Sequence, residues 1–171
     1  MSYKARRKVW IADKIKQFKR PGKLIDIGAG SQQWKSHCDG LEYIALDNDS
    51  YTKSDGVFDT WKAKTDIIAD LNELLPISDN QYEYGLCSEV LEHLADPVSA
   101  LREMMRIIKR GGTLILTAPV RCDPHMEPTI YYSGLFSYWY QYWVPKFDSS
   151  IVEIIEAERN TGIMIEIKKN D

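Results

Sequence analysis

The chain is 171 residues long, 44% hydrophobic, and carries a formal net charge of −3. That length holds one domain with a full core and excludes two ordinary ones, while the apolar share excludes a disordered chain. The slightly acidic balance argues against a protein whose main work is gripping phosphate backbones, and no apolar run approaches the ~20 residues that span a bilayer.

Cys38, Cys87 and Cys122 show neither CxxC nor pairing spacing, which suits a reducing compartment, and no leader pattern opens the chain; a cytoplasmic protein is expected. Residues 3–20 place Trp10, Ile11, Ile15 and Phe18 at helical spacing, predicting an amphipathic helix that Pro21-Gly22 ends. Its many lysines and arginines read as a solvated face, with a basic patch for an acidic substrate or a membrane surface as the alternative.

Five short apolar runs follow: Leu24-Ile25-Asp26-Ile27, Tyr43-Ile44-Ala45-Leu46, Ile67-Ile68-Ala69, Tyr84-Gly85-Leu86-Cys87 and Thr113-Leu114-Ile115-Leu116-Thr117. Bounded by Gly, Asp and Pro, they read as buried parallel strands. Between the last two, Asp96 is a good N-cap, Pro97 fits the first helical turn, and Gly111 fits the end. Leu101, Met104, Met105 and Ile108 form the apolar stripe of that helix. Residues 131–147 are crowded with aromatics, read as a mixture of core and substrate lid. Ile151-Val152-Glu153-Ile154-Ile155 and Ile163-Met164-Ile165-Glu166-Ile167 flank Asn160-Thr161-Gly162 and predict an antiparallel hairpin, with a helix through 151–158 as the competing reading. Strands alternating with helices imply a parallel sheet covered on both faces, with ligands beyond the strands' carboxyl ends.

Four strand-end motifs then become candidates. Asp26-Ile27-Gly28-Ala29-Gly30 ends the first strand; Gly28 and Gly30 allow a tight turn and a close approach to a ligand, and a helix after it would offer unpaired amides. Asp47 ends the second strand, about 20 residues on, where a carboxylate meets ribose hydroxyls. A capping role beside Asn48 and Asp49 is the plainer alternative. Asp70-Leu71 follows the third strand and could receive an adenine amine and cover its ring; a turn-capping role is equally compatible. Cys87-Ser88-Glu89-Val90-Leu91-Glu92-His93-Leu94 follows the fourth. Gln33 stands where a dinucleotide fingerprint wants its third glycine, and no Gly-Lys-Ser/Thr follows, so a nucleoside without phosphates fits best.

In order, Asp26-Ile27-Gly28-Ala29-Gly30, Asp47, Asp70-Leu71, Leu74-Leu75-Pro76-Ile77, Glu89-Val90-Leu91-Glu92-His93 and Arg110-Gly111-Gly112-Thr113 resemble class I S-adenosylmethionine-dependent methyltransferases of the type 11 group. The resemblance is close over 21–120 and loose beyond; Glu83 departs from the usual Asp before the fourth strand. It implies a Rossmann-like α/β fold: a mostly parallel seven-stranded sheet, its last strand antiparallel and supplied by the terminal hairpin, with helices on both faces. It also implies one domain over 1–171. Residues 1–20 would be the N-terminal helix, 21–120 the cofactor core, and 121–171 the substrate-side segment and terminal strands. The chain stops soon after its last predicted strand, as a shortened or minimal member would.

By the same resemblance, S-adenosylmethionine is the cofactor and S-adenosylhomocysteine its product. Asp26, Gly28 and Gly30 line the methionine portion, Asp47 holds the ribose, Asp70 and Leu71 meet adenine, and Ser88 flanks the sulfonium side. The segment Pro124-His125-Met126-Glu127-Pro128 with Tyr131-Tyr132 resembles members from sugar and cell-envelope glycan pathways. The expected acceptor is therefore a small molecule or glycan, O-methylated, rather than a nucleic acid. His125 is the first candidate for general base, ahead of Glu127 and His93, because imidazole titrates near neutrality. Glu89, Glu92, His93 and His125 also resemble a divalent-metal set, but no metal is expected. An RNA methyltransferase and a catalytically silent methyltransferase-like binding subunit are the alternatives.

Overall fold

The computed structural model describes residues 2–48, 64–121 and 134–171. Helix α1 spans Tyr3–Gln17 and is capped by Ser2, whose side chain accepts the Ala5 amide. Ile11, Ile15 and Phe18 are buried, as the apolar spacing requires, with Leu24, Trp34 and Ile115 in one apolar cluster. The basic face is not simply solvated. Arg7 is buried against Glu89, and Lys14 pairs with Glu153 and Glu166. Periodicity could not show this, because the partners come from distant strands.

Seven strands form one sheet in the order β3-β2-β1-β4-β5-β7-β6. Their ranges are β1 Lys23–Ile27, β2 Glu42–Asp47, β3 Ile67–Ile68, β4 Tyr82–Ser88, β5 Ile108–Pro119, β6 Ser149–Glu156 and β7 Gly162–Lys169. β1 through β5 pair in parallel, and β7 runs antiparallel between β5 and β6. The hairpin expectation therefore holds, and the competing helix is replaced by β6 and a 3-10 turn at Glu158–Asn160. Alternating residues of β1 serve the two faces: Leu24 joins the α1 cluster, and Ile25 and Ile27 join the cluster under α2 and α3.

Helix α2, Pro97–Ile107, starts as its sequence predicts, with Asp96 accepting the Val98 and Ser99 amides. Leu101, Met104 and Met105 are fully or almost fully buried. Its end does not fall at Gly111. The helix stops at Ile107, and the chain turns directly into β5. Gly111, at φ +68°, lies where the β4–β5 register shifts, so its left-handed backbone serves a bulge instead of a helix cap.

A second difference lies between β1 and β2. Apart from a 3-10 turn at Lys35–His37, residues 31–41 form only turns and irregular backbone, not the expected helix. Gln32 takes a left-handed φ of +54°, which interrupts a helical path, and Trp34 and Cys38 are the fully buried apolar residues there, with Leu41 partly buried against them. Helix α3, Ser137–Trp143, packs on the opposite sheet face from α1 through Tyr140. Phe136, Trp139, Trp143 and Phe147 pack against that core, whereas Tyr138 and Tyr142 are exposed. The described aromatics are thus chiefly core; Tyr131 and Tyr132 lie outside the described residues.

Candidate active site

The turn after β1 is bound to the end of β2. The Gly28 and Ala29 amides donate to the Leu46 carbonyl at 2.8 and 3.0 Å, and the Gly30 amide donates to Asp47 Oδ2 at 2.8 Å. Gly28 and Gly30 both take left-handed backbone, at φ +71° and +47°. A Cβ on Gly28 would sit 2.3 Å from Val90 Cγ2, so glycine is also needed for packing against the segment after β4. The amides that could have cradled a phosphate are turned inward, and a carboxylate stands where an anion would be repelled.

Asp26 is buried on β1, where Tyr43 donates to its Oδ2 at 2.5 Å. Desolvation pushes its carboxyl up to about 7, with Asp47 adding to the rise and the Tyr43 bond opposing it. Asp47 is also buried, and its carbonyl accepts the Ala69 amide, which carries the chain on to Asp70. Asp70 is exposed and accepts from both nitrogens of Asn72, so it does cap a turn. Leu71 is buried in the main core. Ser88 ends β4 and shares a hydrogen bond with Thr117 at 3.1 Å. Asp26, Gly28, Gly30, Asp47, Asp70, Leu71 and Ser88 therefore gather along the carboxyl ends of β1 to β4.

Beside them lies a polar network that strand-end reasoning only partly found. Thr117 and Tyr3 donate to Glu89 Oε1 at 3.0 and 2.8 Å, and Arg7 pairs with Oε2. Glu89 holds φ +59°, a conformation costly for a side chain with a Cβ and concentrated at functional sites. Glu92 is 1% exposed, and among the described residues neither of its oxygens has a hydrogen-bond partner. Desolvation first, then Glu89, pushes its carboxyl up to about 8. His93 Nε2 lies 3.7 Å from Glu92 Oε1. Among the described residues, no group of three or more His, Cys, Asp or Glu side chains is arranged to hold a metal. His125 and Glu127 lie outside the described residues. Tyr3 and Arg7 were missed as site residues because helical periodicity marks only their helix, not what its polar side meets.

A methyltransferase-domain family matches residues 25–116, more than half of the chain. The chain belongs to that methyltransferase family. Demethylmenaquinone methyltransferase of Staphylococcus carnosus is 28% identical over 136 residues, 72% of this chain and 52% of that protein. An uncharacterized methyltransferase of Mycobacteroides abscessus is 26% identical over 161 residues, covering 82% of this chain and 62% of that one. This methyltransferase-family chain thus spans between half and two thirds of those curated relatives. A solved structure from Bacillus halodurans C-125, provisionally assigned as a methyltransferase, superposes with a TM-score of 0.72. It is 10% identical and covers 96% of this chain and 100% of its own. The likeness carries the class I Rossmann-like methyltransferase fold. No helix among the described residues is long and apolar enough to cross a membrane.

Proposed function

We propose that this methyltransferase uses S-adenosylmethionine and methylates a small molecule or glycan, at oxygen. The observation that carries the cofactor assignment is the Gly30–Asp47 contact: an acidic, buried turn with its amides spent internally suits a nucleoside that has hydroxyls to donate and no phosphates to cradle. Asp47 holds the ribose. Asp70 receives the adenine amine beside Leu71, Asp26, Gly28 and Gly30 line the methionine portion, and Ser88 flanks the sulfonium. The cofactor supplies an electrophilic methyl carbon and departs as a neutral thioether, so no acid is required. What remains for the chain is to hold a nucleophile in line, keep water out, and receive the acceptor's proton. His125 takes that proton.

A small acceptor is favoured over RNA because the chain is acidic overall and two of the cations of α1, Arg7 and Lys14, are committed to Glu89, Glu153 and Glu166. Calorimetric titration tests the cofactor reading. S-adenosylmethionine and S-adenosylhomocysteine should bind one-to-one, whereas NAD and ATP should not; tighter binding of NAD overturns the assignment.

A further inference from the structure

Among the described residues, three buried ones from separate helical segments hold polar atoms without a hydrogen-bond partner: both carboxyl oxygens of Glu92, the Tyr140 hydroxyl, and Arg7 Nε. Arg7 is paired with Glu89, three positions before Glu92, and Glu92 and Tyr140 both lie within electrostatic reach of Glu89. Their exposures are 1% for Glu92, 0% for Tyr140 and 8% for Arg7. Native proteins leave few buried polar atoms unpaired, because each costs free energy that a partner would recover. Here several converge, next to a strained Glu89 and beyond the carboxyl end of β4, where this fold places ligands.

We propose that Glu92, Tyr140 and Arg7 form the acceptor-binding subsite, and that it takes an uncharged, hydroxyl-bearing group. This rests on the methyl-transfer reading. The chemistry of the subsite sets the class. The one guanidinium is already paired with Glu89, so a carboxylate or phosphate on the acceptor would be buried here with no free cation to pair it. A hydroxyl can instead donate to one partner and accept from another, matching the mixed donors and acceptors present. The subsite therefore selects a neutral phenolic or alcoholic end over an anionic one. Such a hydroxyl comes from a phenol or a sugar.

The test uses the whole chain, with and without saturating S-adenosylhomocysteine. Phenol, methyl glucoside and benzoate are titrated separately and followed by amide chemical shifts. Phenol or methyl glucoside should bind the wild type, and which one does so names the source of the hydroxyl; benzoate should bind at least tenfold more weakly. Tyr140→Phe and Glu92→Met should each weaken the binding probe by about tenfold, the loss of one buried hydrogen bond. Both variants should melt at or above the wild-type temperature, because an unpaired buried polar group has been removed. The proposal fails if neither neutral probe binds, if benzoate binds as well as they do, or if both variants bind like wild type. It also fails if both melt below wild type, which marks groups satisfied by structural water. Absence of S-adenosylhomocysteine binding would instead overturn the cofactor reading, while the probe titrations still decide the subsite.

Discussion

The Asp47 carboxylate accepts the Gly30 amide at 2.8 Å, joining the end of β2 to the turn after β1. One side chain thereby shapes the turn and, in the proposed function, also holds the ribose. Asp47→Ala should weaken S-adenosylhomocysteine binding by about 1–3 kcal/mol, the range for a buried partner removed. Asp47→Asn, which keeps an acceptor oxygen, should lose less. Calorimetry checks both, and unchanged affinity in Asp47→Ala removes the ribose role.

Gly28 tests the backbone half of the same turn. Its φ of +71° disfavours any Cβ, and Val90 already fills the space. Gly28→Ala should destabilise by about 1–3 kcal/mol. Adding Val90→Ala should relieve the clash but not the backbone strain, so the double variant should recover only part of the loss in urea denaturation. Full recovery would show that strain contributes nothing.

The sheet was readable because each apolar run is short, β-rich and bounded by turn residues, and the glycine-acid motifs fall at strand ends. The end of α2 was not readable, because a glycine that opens a bulge looks the same as one that caps a helix. The turn region before β2 was misread for a related reason: a glycine loop after a strand usually leads into a helix, and only the left-handed Gln32 breaks that expectation. The network of Tyr3, Arg7, Glu89 and Glu92 unites α1 with the segment after β4. Those residues are more than 80 positions apart, and one sequence contains nothing that pairs them.

Glu92 gives a pH dependence with a defined sign. Its carboxyl rises from an ordinary 4.5 to about 8 in the fold, chiefly through desolvation. The folded chain keeps that proton between those values while the unfolded chain releases it, so its contribution is fully present below about 4.5. It is lost progressively as pH rises through about 8, at a slope approaching about 1.4 kcal/mol per pH unit within the window. Asp26 adds the same sign between 3.8 and about 7. Denaturation midpoints across pH 5 to 8.5 should therefore fall, and Glu92→Gln should flatten the decline. An identical slope in the variant would mean that Glu92 ionises normally.

Methyl transfer on the acceptor should persist in a chelator. The described residues bring no three metal-ligating side chains into one group, and the carboxyls of Glu89 and Glu92 are held by Arg7 and by burial. Loss of activity in chelator, restored by a divalent ion, would reverse this and implicate Glu89, Glu92 and His93 together with His125.

Proton removal and acceptor binding should separate kinetically. If His125 receives the proton, His125→Ala should lower kcat by roughly 10²–10⁴-fold and leave S-adenosylhomocysteine affinity unchanged. If Tyr140 holds the acceptor's hydroxyl equally in the ground and transition states, Tyr140→Phe should raise KM with little change in kcat. Trp139 supplies the contrast. It packs, half-buried, edge-on to Tyr140 at 4.8 Å between ring centroids. Trp139→Ala should therefore cost stability first, approaching about 3 kcal/mol, and activity only through the displaced tyrosine. Initial rates at saturating cofactor, on whichever hydroxylated small molecule releases S-adenosylhomocysteine in a screen, distinguish the three when each variant's melting curve is measured alongside. A folded His125→Ala enzyme with wild-type kcat would end the case for His125 as the base. A Tyr140→Phe enzyme with lowered kcat and unchanged KM would move the hydroxyl from binding the acceptor to stabilising the transition state.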